Sequence, residues 1–165
     1  MNFGTPNRPK REYTEEEAYA RLSAMCARSE HCSGQVKDRM RTWGLAPEVQ
    51  QQVLARLVEG RFVDDERYCR LFVDDKIKFG KWGRRKIELA LRQKGVGSDV
   101  YGPVLAAVDD ERYLEVLRPL LEAKKRTVKA ATDYQRFYKL LTYGIGRGYD
   151  ADLVRQCLED AERDV

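Results

Sequence analysis

An internal repeat constrains this chain more than any other feature. The letters of residues 64–68, DDERY, recur unchanged at 109–113, and residues 17–22 match residues 66–71 at their Glu, Tyr, Arg and Leu positions. Three copies of one unit are therefore visible. A repeat with a period of about 50 residues is typical of a tandem array of small supersecondary units.

A repeated glycine marks a second anchor in each copy, at Gly44, Gly95 and Gly148. From the repeated glutamate to this glycine the interval is 27 residues in the first copy and 29 in the second, but 37 in the third. The third copy therefore carries an insertion.

Each copy predicts three helices. The first begins near the repeated glutamate, where Thr14 and Glu17 fit a capping box and where Asp64 and Asp109 are suited to be N-caps. The second helix ends at the repeated glycine, because glycine enters a left-handed turn most easily. The third begins after Ala46, Gly97 or Asp150 and has an apolar face of helical period, formed by Val49, Val53, Leu54 and Leu57 in the first copy and by Val100, Val104, Leu105 and Val108 in the second.

These patterns predict an all-α fold, a tandem array of three three-helix repeats that is elongated and curved. No segment shows the alternation and turn signals of paired strands. The predicted organisation is a mobile N-terminal tail at 1–13, followed by repeats at 14–60, 61–108 and 109–165.

Composition argues against a membrane or secreted protein. Charged residues make up 35% of the chain, against roughly 25% in a typical globular domain. They interrupt every apolar run before the roughly 18 residues that a membrane span needs. No apolar h-region follows the basic N-terminus, so the cytoplasm is the expected compartment. Thiols, not disulfides, are then expected at Cys26, Cys32, Cys69 and Cys157.

Positive charge is clustered, although the net charge of the chain is only +4. Residues 76–95 contain eight Lys or Arg and one Glu, a net charge of +7. Such a cluster binds phosphates through counterion release, but it is also compatible with a solvated helix face. Partner contact is favoured for Lys81, Arg84 and Arg85, because the start of a helix disfavours cations unless something compensates them. Arg92 and Lys94 suit the helix end without any partner.

Aromatic residues in the second copy allow two interpretations. Tyr68, Phe79, Trp82 and Tyr101 could stack on unpaired bases. Packing against neighbouring helices is favoured, since Tyr68 and Tyr113 occupy equivalent repeat positions. Trp82, in the predicted loop between two helices, is the exception.

No constellation for catalysis or metal binding is recognisable. Helix capping accounts for two of the three Asp-Asp pairs, and the cysteines have no zinc-site spacing. The single histidine, His31, lies in a polar turn, Ser29-Glu30-His31-Cys32-Ser33, that is predicted to join the first two helices and shows no recognisable set of nucleophile, base and orienting group. No cofactor, no metal and no enzymatic activity are therefore expected.

Three stretches of the central copy resemble the signature of the RecX family. They are GRFVDDERY at 60–68, the Lys81-x-Gly83-Arg84-Arg85-x-Ile87 motif and the Leu91-Arg92-x-Lys94-Gly95-Val96 motif. The resemblance extends over about residues 14–163. It implies a regulator that binds in the helical groove of a RecA recombinase filament on single-stranded DNA and inhibits strand exchange, ATP turnover and co-protease activity in DNA repair and the SOS response.

The hypothesis from the sequence is a monomeric, non-enzymatic regulator of RecA filaments, with weak direct binding to DNA. The predicted contact residues for the filament and its DNA are Lys81, Arg84, Arg85, Lys86, Arg92 and Lys94 in the second copy, and Lys124, Lys125, Arg126, Lys129, Arg136 and Arg147 in the third. Two alternatives remain open: a sequence-independent nucleic-acid-binding protein that needs no recombinase, and a protein-only helical adaptor.

Overall fold

Helices account for all the regular structure of residues 11–164, the part of the chain that the computed structural model describes. In this range the helices are α1 (Glu15–Arg28), α2 (Ser33–Thr42), α3 (Pro47–Glu59), α4 (Asp65–Lys78), α5 (Arg84–Gln93), α6 (Ser98–Ala106), α7 (Asp110–Lys125), α8 (Asp133–Gly146) and α9 (Ala151–Arg163). The predicted all-α fold is confirmed. None of these helices is long and apolar enough to span a membrane.

The chain divides into two compact units, one ending at Asp64 and the other beginning at Asp65. The first unit packs α1 and α2 against α3. Its core includes the fully buried side chains of Leu22, Met40 and Leu57. Thr14 begins this unit's first helix as predicted, because its hydroxyl oxygen accepts a hydrogen bond of 3.2 Å from the backbone N–H of Glu17.

The predicted tail at 1–13 lies mostly outside the described residues, which begin at position 11. The ring of Tyr13 stacks on Trp43 with 4.7 Å between ring centroids. The guanidinium carbon of Arg21 lies 5.0 Å from the centroid of the same tyrosine ring. Tyr13, which the sequence assigns to the tail, therefore packs with the first repeat.

The second unit contains the other two repeats, α4 to α6 and α7 to α9. Within it, α6 packs against α4 and α5, α9 packs against α7 and α8, and α4 also packs against α7. Buried apolar side chains fill both repeats, among them Ile77, Leu91, Tyr113 and Leu117. Tyr101 and Leu105 are the buried residues of α6, whereas the predicted Val100 and Val104 are half-buried.

Helix boundaries follow the repeated residues. Gly44, Gly95 and Gly148 have φ values of 73°, 82° and 93°, which confirms the predicted left-handed turn after the second helix of each copy. Ala46, Gly97 and Asp150 are the N-caps of α3, α6 and α9, as predicted. Asp109 is the N-cap of α7, but its carboxylate makes no capping hydrogen bond, so only its charge favours the helix end.

The insertion in the third copy lengthens helices. The helix α8 has 14 residues, against 10 in α2 and in α5, and α7 has 16 against 14 in α1 and in α4. Thr132 starts α8 with a hydrogen bond of 3.1 Å from the backbone N–H of Gln135 to its hydroxyl oxygen. The insertion therefore places its basic residues on α7, on α8 and in the segment between them.

Candidate partner interface of the second and third repeats

The amino end of α5, which carries the predicted contacts Arg84 and Arg85, is in direct contact with the third repeat. Gly83 is the N-cap of α5, and its backbone N–H donates to the carbonyl oxygen of Arg147 at 2.9 Å. The backbone N–H of Arg85 donates to the carbonyl oxygen of Gly148 at 3.0 Å. We call this contact, formed by residues 80–86 with 147–150 and Asp110, the repeat junction.

Glycine is required at the repeat junction because the two backbones touch. A Cβ on Gly83 would lie 2.2 Å from both the carbonyl carbon of Gly148 and the backbone nitrogen of Tyr149. A Cβ on Gly148 would lie 2.4 Å from the Cβ of Lys86. The backbone of residues 148–149 leaves no room for a side chain at Gly83, and Lys86 of α5 leaves none at Gly148.

Arg147 holds the loop between α4 and α5. Its Nη2 donates to the carbonyl oxygens of Gly80 at 2.6 Å and of Lys81 at 3.1 Å. Lys81 has a φ of 53°, in the left-handed region that residues other than glycine rarely occupy. The guanidinium of Arg147, one of the twelve predicted contact residues, is therefore engaged within the protein.

Two carboxylates of the third repeat compensate the cations that begin α5. Arg84 pairs with Asp110 at 3.0 Å, and its guanidinium carbon lies 5.7 Å from the centre of the Tyr113 ring. Arg85 pairs with Asp150 at 2.8 Å. Cations at a helix start needed compensation, and the structure supplies it from the neighbouring repeat.

The other predicted contacts of the second repeat lie outside these ion pairs. Lys81 and Arg92 are exposed. The ammonium nitrogen of Lys86 lies 4.6 Å from the centroid of the Trp82 ring, and that of Lys94 lies 5.6 Å from the centroid of Phe72. These four residues add positive charge to the second repeat outside the two ion pairs of the repeat junction, and two of them lie over aromatic rings.

In the third repeat, the predicted contacts other than Arg147 fall on one segment. We call residues 124–139 the basic extension; it contains six Lys or Arg and one Asp, a net charge of +5. Lys125, Arg126 and Lys129 are exposed. The ammonium nitrogen of Lys124 lies 4.9 Å from the centroid of the Tyr143 ring, and Arg136 pairs with Asp133 at 3.4 Å.

The aromatic residues that the sequence singled out in the second repeat differ in their exposure. Tyr68 and Tyr101 are buried, which confirms the favoured packing interpretation for both. Phe79 is exposed, so packing is wrong for this residue, which follows the last residue of α4. Trp82 is half-buried, with its ring edge-on to Phe72 and the ammonium of Lys76 5.0 Å from its centroid.

Burial alters the acid–base chemistry of several side chains without creating a reactive group. Burial raises the pKa of the Cys69 thiol to about 11 and the pKa of the Tyr149 hydroxyl to about 12. Both groups are protonated and neutral at pH 7. All four cysteines are buried and none forms a disulfide, as expected of thiols, and the described residues contain no group of three or more side chains suited to a metal ion.

Sequence reasoning missed two sets of residues. Asp110 and Asp150 lie 26 and 65 positions from the arginines they pair with, and no periodicity links partners so far apart. The second set is an exposed pair of stacked rings, Tyr134 and Tyr138, on α8. Their spacing of four in the inserted segment was the available signal, because residues four apart share a helix face.

The fold and its repeat junction define a class of protein, a tandem array of three-helix repeats. Two family profiles then match this chain. Residues 64–101 match the second three-helix domain of RecX, and residues 110–158 match the third.

Curated relatives share this similarity. The chain is 32% identical to the regulatory protein RecX of Clostridium botulinum strain Alaska E43 over 77% of its length, and 28% identical to that of Lactobacillus delbrueckii subsp. bulgaricus strain ATCC 11842 over 92%. It covers 60% of the length of each of these two proteins.

Solved structures share the fold. RecX from Lactobacillus salivarius superposes with a TM-score of 0.83 at 15% identity, over 90% of this chain and 96% of the other. A second crystal structure of a regulatory protein RecX gives 0.81 at 19% identity, over 88% and 73% of the two chains. This chain belongs to the RecX family.

Proposed function

We propose that this protein regulates a RecA recombinase, by binding in the helical groove of the filament that the recombinase forms on single-stranded DNA. It inhibits or modulates strand exchange, ATP turnover and co-protease activity in DNA repair and the SOS response, and it has no enzymatic activity of its own. The observation that carries this proposal is membership of the RecX family, with two matched three-helix domains in tandem.

The distribution of cations supports a partner that carries phosphates. Lys81 and Arg92 in the second repeat and Lys125, Arg126 and Lys129 in the third are exposed. Exposed cations can approach DNA phosphates and acidic protein surface without first breaking an internal ion pair. Their binding is expected to weaken steeply as salt is raised.

Repetition of the fold supports an extended, periodic partner. In this proposal the repeats at 14–60, 61–108 and 109–165 meet successive recombinase subunits, as tandem repeats suit long surfaces. The protein acts as a monomer in the cytoplasm, where the filament forms.

The test is recombinase ATP turnover on single-stranded DNA, titrated with this protein, alongside anisotropy of the same DNA without recombinase. We expect turnover to fall at protein concentrations too low to occupy the bare DNA. Unchanged turnover together with tight binding to bare DNA would overturn the proposal and favour the nucleic-acid-binding protein that needs no recombinase.

A pair of charge variants makes the test specific. Lys125→Gln, Arg126→Gln and Lys129→Gln together remove three charges from the basic extension. Arg28→Gln, Lys37→Gln and Arg39→Gln remove three from exposed positions of the first repeat, outside the predicted contacts. Loss of inhibition is expected for the first triple variant and not for the second, and equal loss would contradict the proposed placement.

A further inference from the structure

Two large aromatic side chains on α8 are exposed. Tyr134 is 76% and Tyr138 59% exposed, whereas Tyr113 and Tyr149 in the same repeat are buried. Tyrosine exposes apolar area at a cost unless another molecule covers it, and exposed aromatic pairs are enriched where proteins bind partners.

Their geometry is that of a stacking surface. The two rings are nearly parallel, with an interplanar angle of 23° and 6.5 Å between centroids. They line an open depression of about 410 Å³ together with Gln135 and Lys139. Stacked bases along one strand of a duplex are spaced by about 3.4 Å. The 6.5 Å between the ring centroids is about twice that spacing, so the two rings are as far apart as bases of one strand can be.

Charge around the rings selects the partner. The rings lie within the basic extension, whose net charge is +5. The ammonium of Lys139 lines the same depression and donates to the carbonyl oxygen of Lys129, which holds the preceding loop beside α8. Planar rings flanked by cations match a chain of unpaired bases joined by phosphates.

We propose that Tyr134 and Tyr138 stack on unpaired bases of single-stranded nucleic acid, while Lys125, Arg126 and Lys129 face its phosphates. The inference deepens the proposed function and rests on it for the presence of single-stranded DNA beside this surface. Double-stranded DNA does not fit this site, because its bases are already stacked and paired. Base stacking makes the contact tolerant of sequence, since every base has a π-face.

The experiment compares two probes without recombinase: an oligothymidylate and an abasic oligodeoxyribose phosphate of the same length. Because stacking of one base on an aromatic ring is worth about tenfold or more in affinity, the unmodified protein is expected to bind the oligothymidylate at least about tenfold more tightly. Tyr134→Ala with Tyr138→Ala is expected to bind both probes equally.

Matched variants separate stacking from other effects. Tyr134→Phe with Tyr138→Phe keeps both rings and is expected to retain the preference for bases. Phe79→Ala removes a ring that is 72% exposed in the second repeat and is expected to leave the preference unchanged. Circular dichroism of each variant verifies that α8 is retained.

Two results would overturn the inference: equal binding of both probes by the unmodified protein, or a preference for bases that survives the double alanine change. Either result would assign the rings to a protein partner or a second copy of the chain. Failure of the proposed function is read separately, as unchanged recombinase ATP turnover in the presence of a protein that still prefers bases.

Discussion

The repeat junction and the basic extension are both rich in Lys and Arg, but the structure places the cations of the two regions differently. At the repeat junction, Arg84 and Arg85 pair with carboxylates of the third repeat and Arg147 donates to two backbone carbonyls. In the basic extension, Lys125, Arg126 and Lys129 are exposed, and so are the rings of Tyr134 and Tyr138. A cation in a cluster is therefore not a binding residue by composition alone.

Stability and binding are therefore expected to depend on different residues. Substitutions at the repeat junction are expected to change the free energy of unfolding, because they remove contacts that join two repeats. Substitutions in the basic extension are expected to change binding and to leave unfolding nearly unchanged.

The largest expected effect is that of Gly83→Ala. Its Cβ would meet backbone atoms at 2.2 Å, and backbone cannot rotate away as a side chain can. We expect a loss of about 2–4 kcal/mol in the free energy of unfolding, measured by urea denaturation. Gly146→Ala at the end of α8 is the control, since no atom beyond its chain neighbours and its own helix backbone lies within 4 Å of its Cβ, and it is expected to stabilise by up to about 0.5–1 kcal/mol. Equal midpoints for the two variants would contradict the close backbone contact.

Arg147→Ala is expected to have the next largest effect. It leaves the carbonyl oxygens of Gly80 and Lys81 without this donor and releases a loop that includes a strained φ at Lys81. Loss of a charged donor to such groups costs about 1–3 kcal/mol. Thermal unfolding monitored by circular dichroism measures it. Arg92→Ala, at an exposed position of α5, is expected to change the midpoint little, and an equal change in both variants would argue against the loop-holding role.

A smaller effect is expected for the ion pairs. Arg85→Ala with Asp150→Ala, in a double-mutant cycle, is expected to give a coupling energy of about 1 kcal/mol or less, because exposed pairs are screened by solvent.

The Lys125, Arg126 and Lys129 triple variant is expected to change the free energy of unfolding by less than about 0.5 kcal/mol. The affinity of this variant for single-stranded DNA is expected to fall less steeply with salt: the magnitude of the slope of log affinity against log salt decreases by about 2. A large loss of stability in the Lys125, Arg126 and Lys129 triple variant, with unchanged salt dependence, would contradict the assignment of binding to the basic extension.

At neutral pH the smallest effect is expected from Tyr149→Phe. Burial raises the pKa of its hydroxyl from 10 to about 12. The folded state therefore favours the neutral phenol, so this contribution to stability is present below pH 10 and is lost as the pH rises towards 12. The hydroxyl is buried with no hydrogen-bond partner in the described residues, so removing it should cost little at pH 7.

Urea midpoints from pH 8 to pH 11.5 measure this alkaline effect. Tyr149→Phe is expected to lose less stability at high pH than the unmodified protein. Tyr134→Phe, at an exposed ring, is expected to retain the unmodified protein's alkaline loss. If the urea midpoint of Tyr149→Phe falls with pH in parallel with that of the unmodified protein, burial of this hydroxyl does not cause the alkaline loss of stability.

The local structure of this chain could be predicted from its sequence because the signals are local. Thr14 caps α1, and Gly44, Gly95 and Gly148 turn left-handed after the second helices, each through geometry within a few residues. Repetition then extended each local prediction to three places. The all-α fold followed from the same repeated residues, and the RecX family followed from three stretches of the central copy, at 60–68, 81–87 and 91–96.

The contact residues were harder to predict, because the sequence does not show which of the twelve basic residues are exposed and which are paired within the protein. The helix-dipole argument indicated that Arg84 and Arg85 needed compensation, but it could not say whether a partner or the protein supplied it. Tyr134 and Tyr138 were missed because the insertion has no counterpart in the other repeats to mark them. Exposure, which singles them out, is a property of packing.

Sequence alone determined where the first and third helices of each copy begin, where the second helix ends, and that three copies of one unit follow one another, because capping, glycine geometry and hydrophobic period act over a few residues. Tertiary structure alone decided that Gly83 meets Gly148, that Asp110 and Asp150 pair with the arginines of α5, and that the rings of α8 are exposed. Packing of the second repeat on the third joins residues up to 67 positions apart, and local rules do not reach so far.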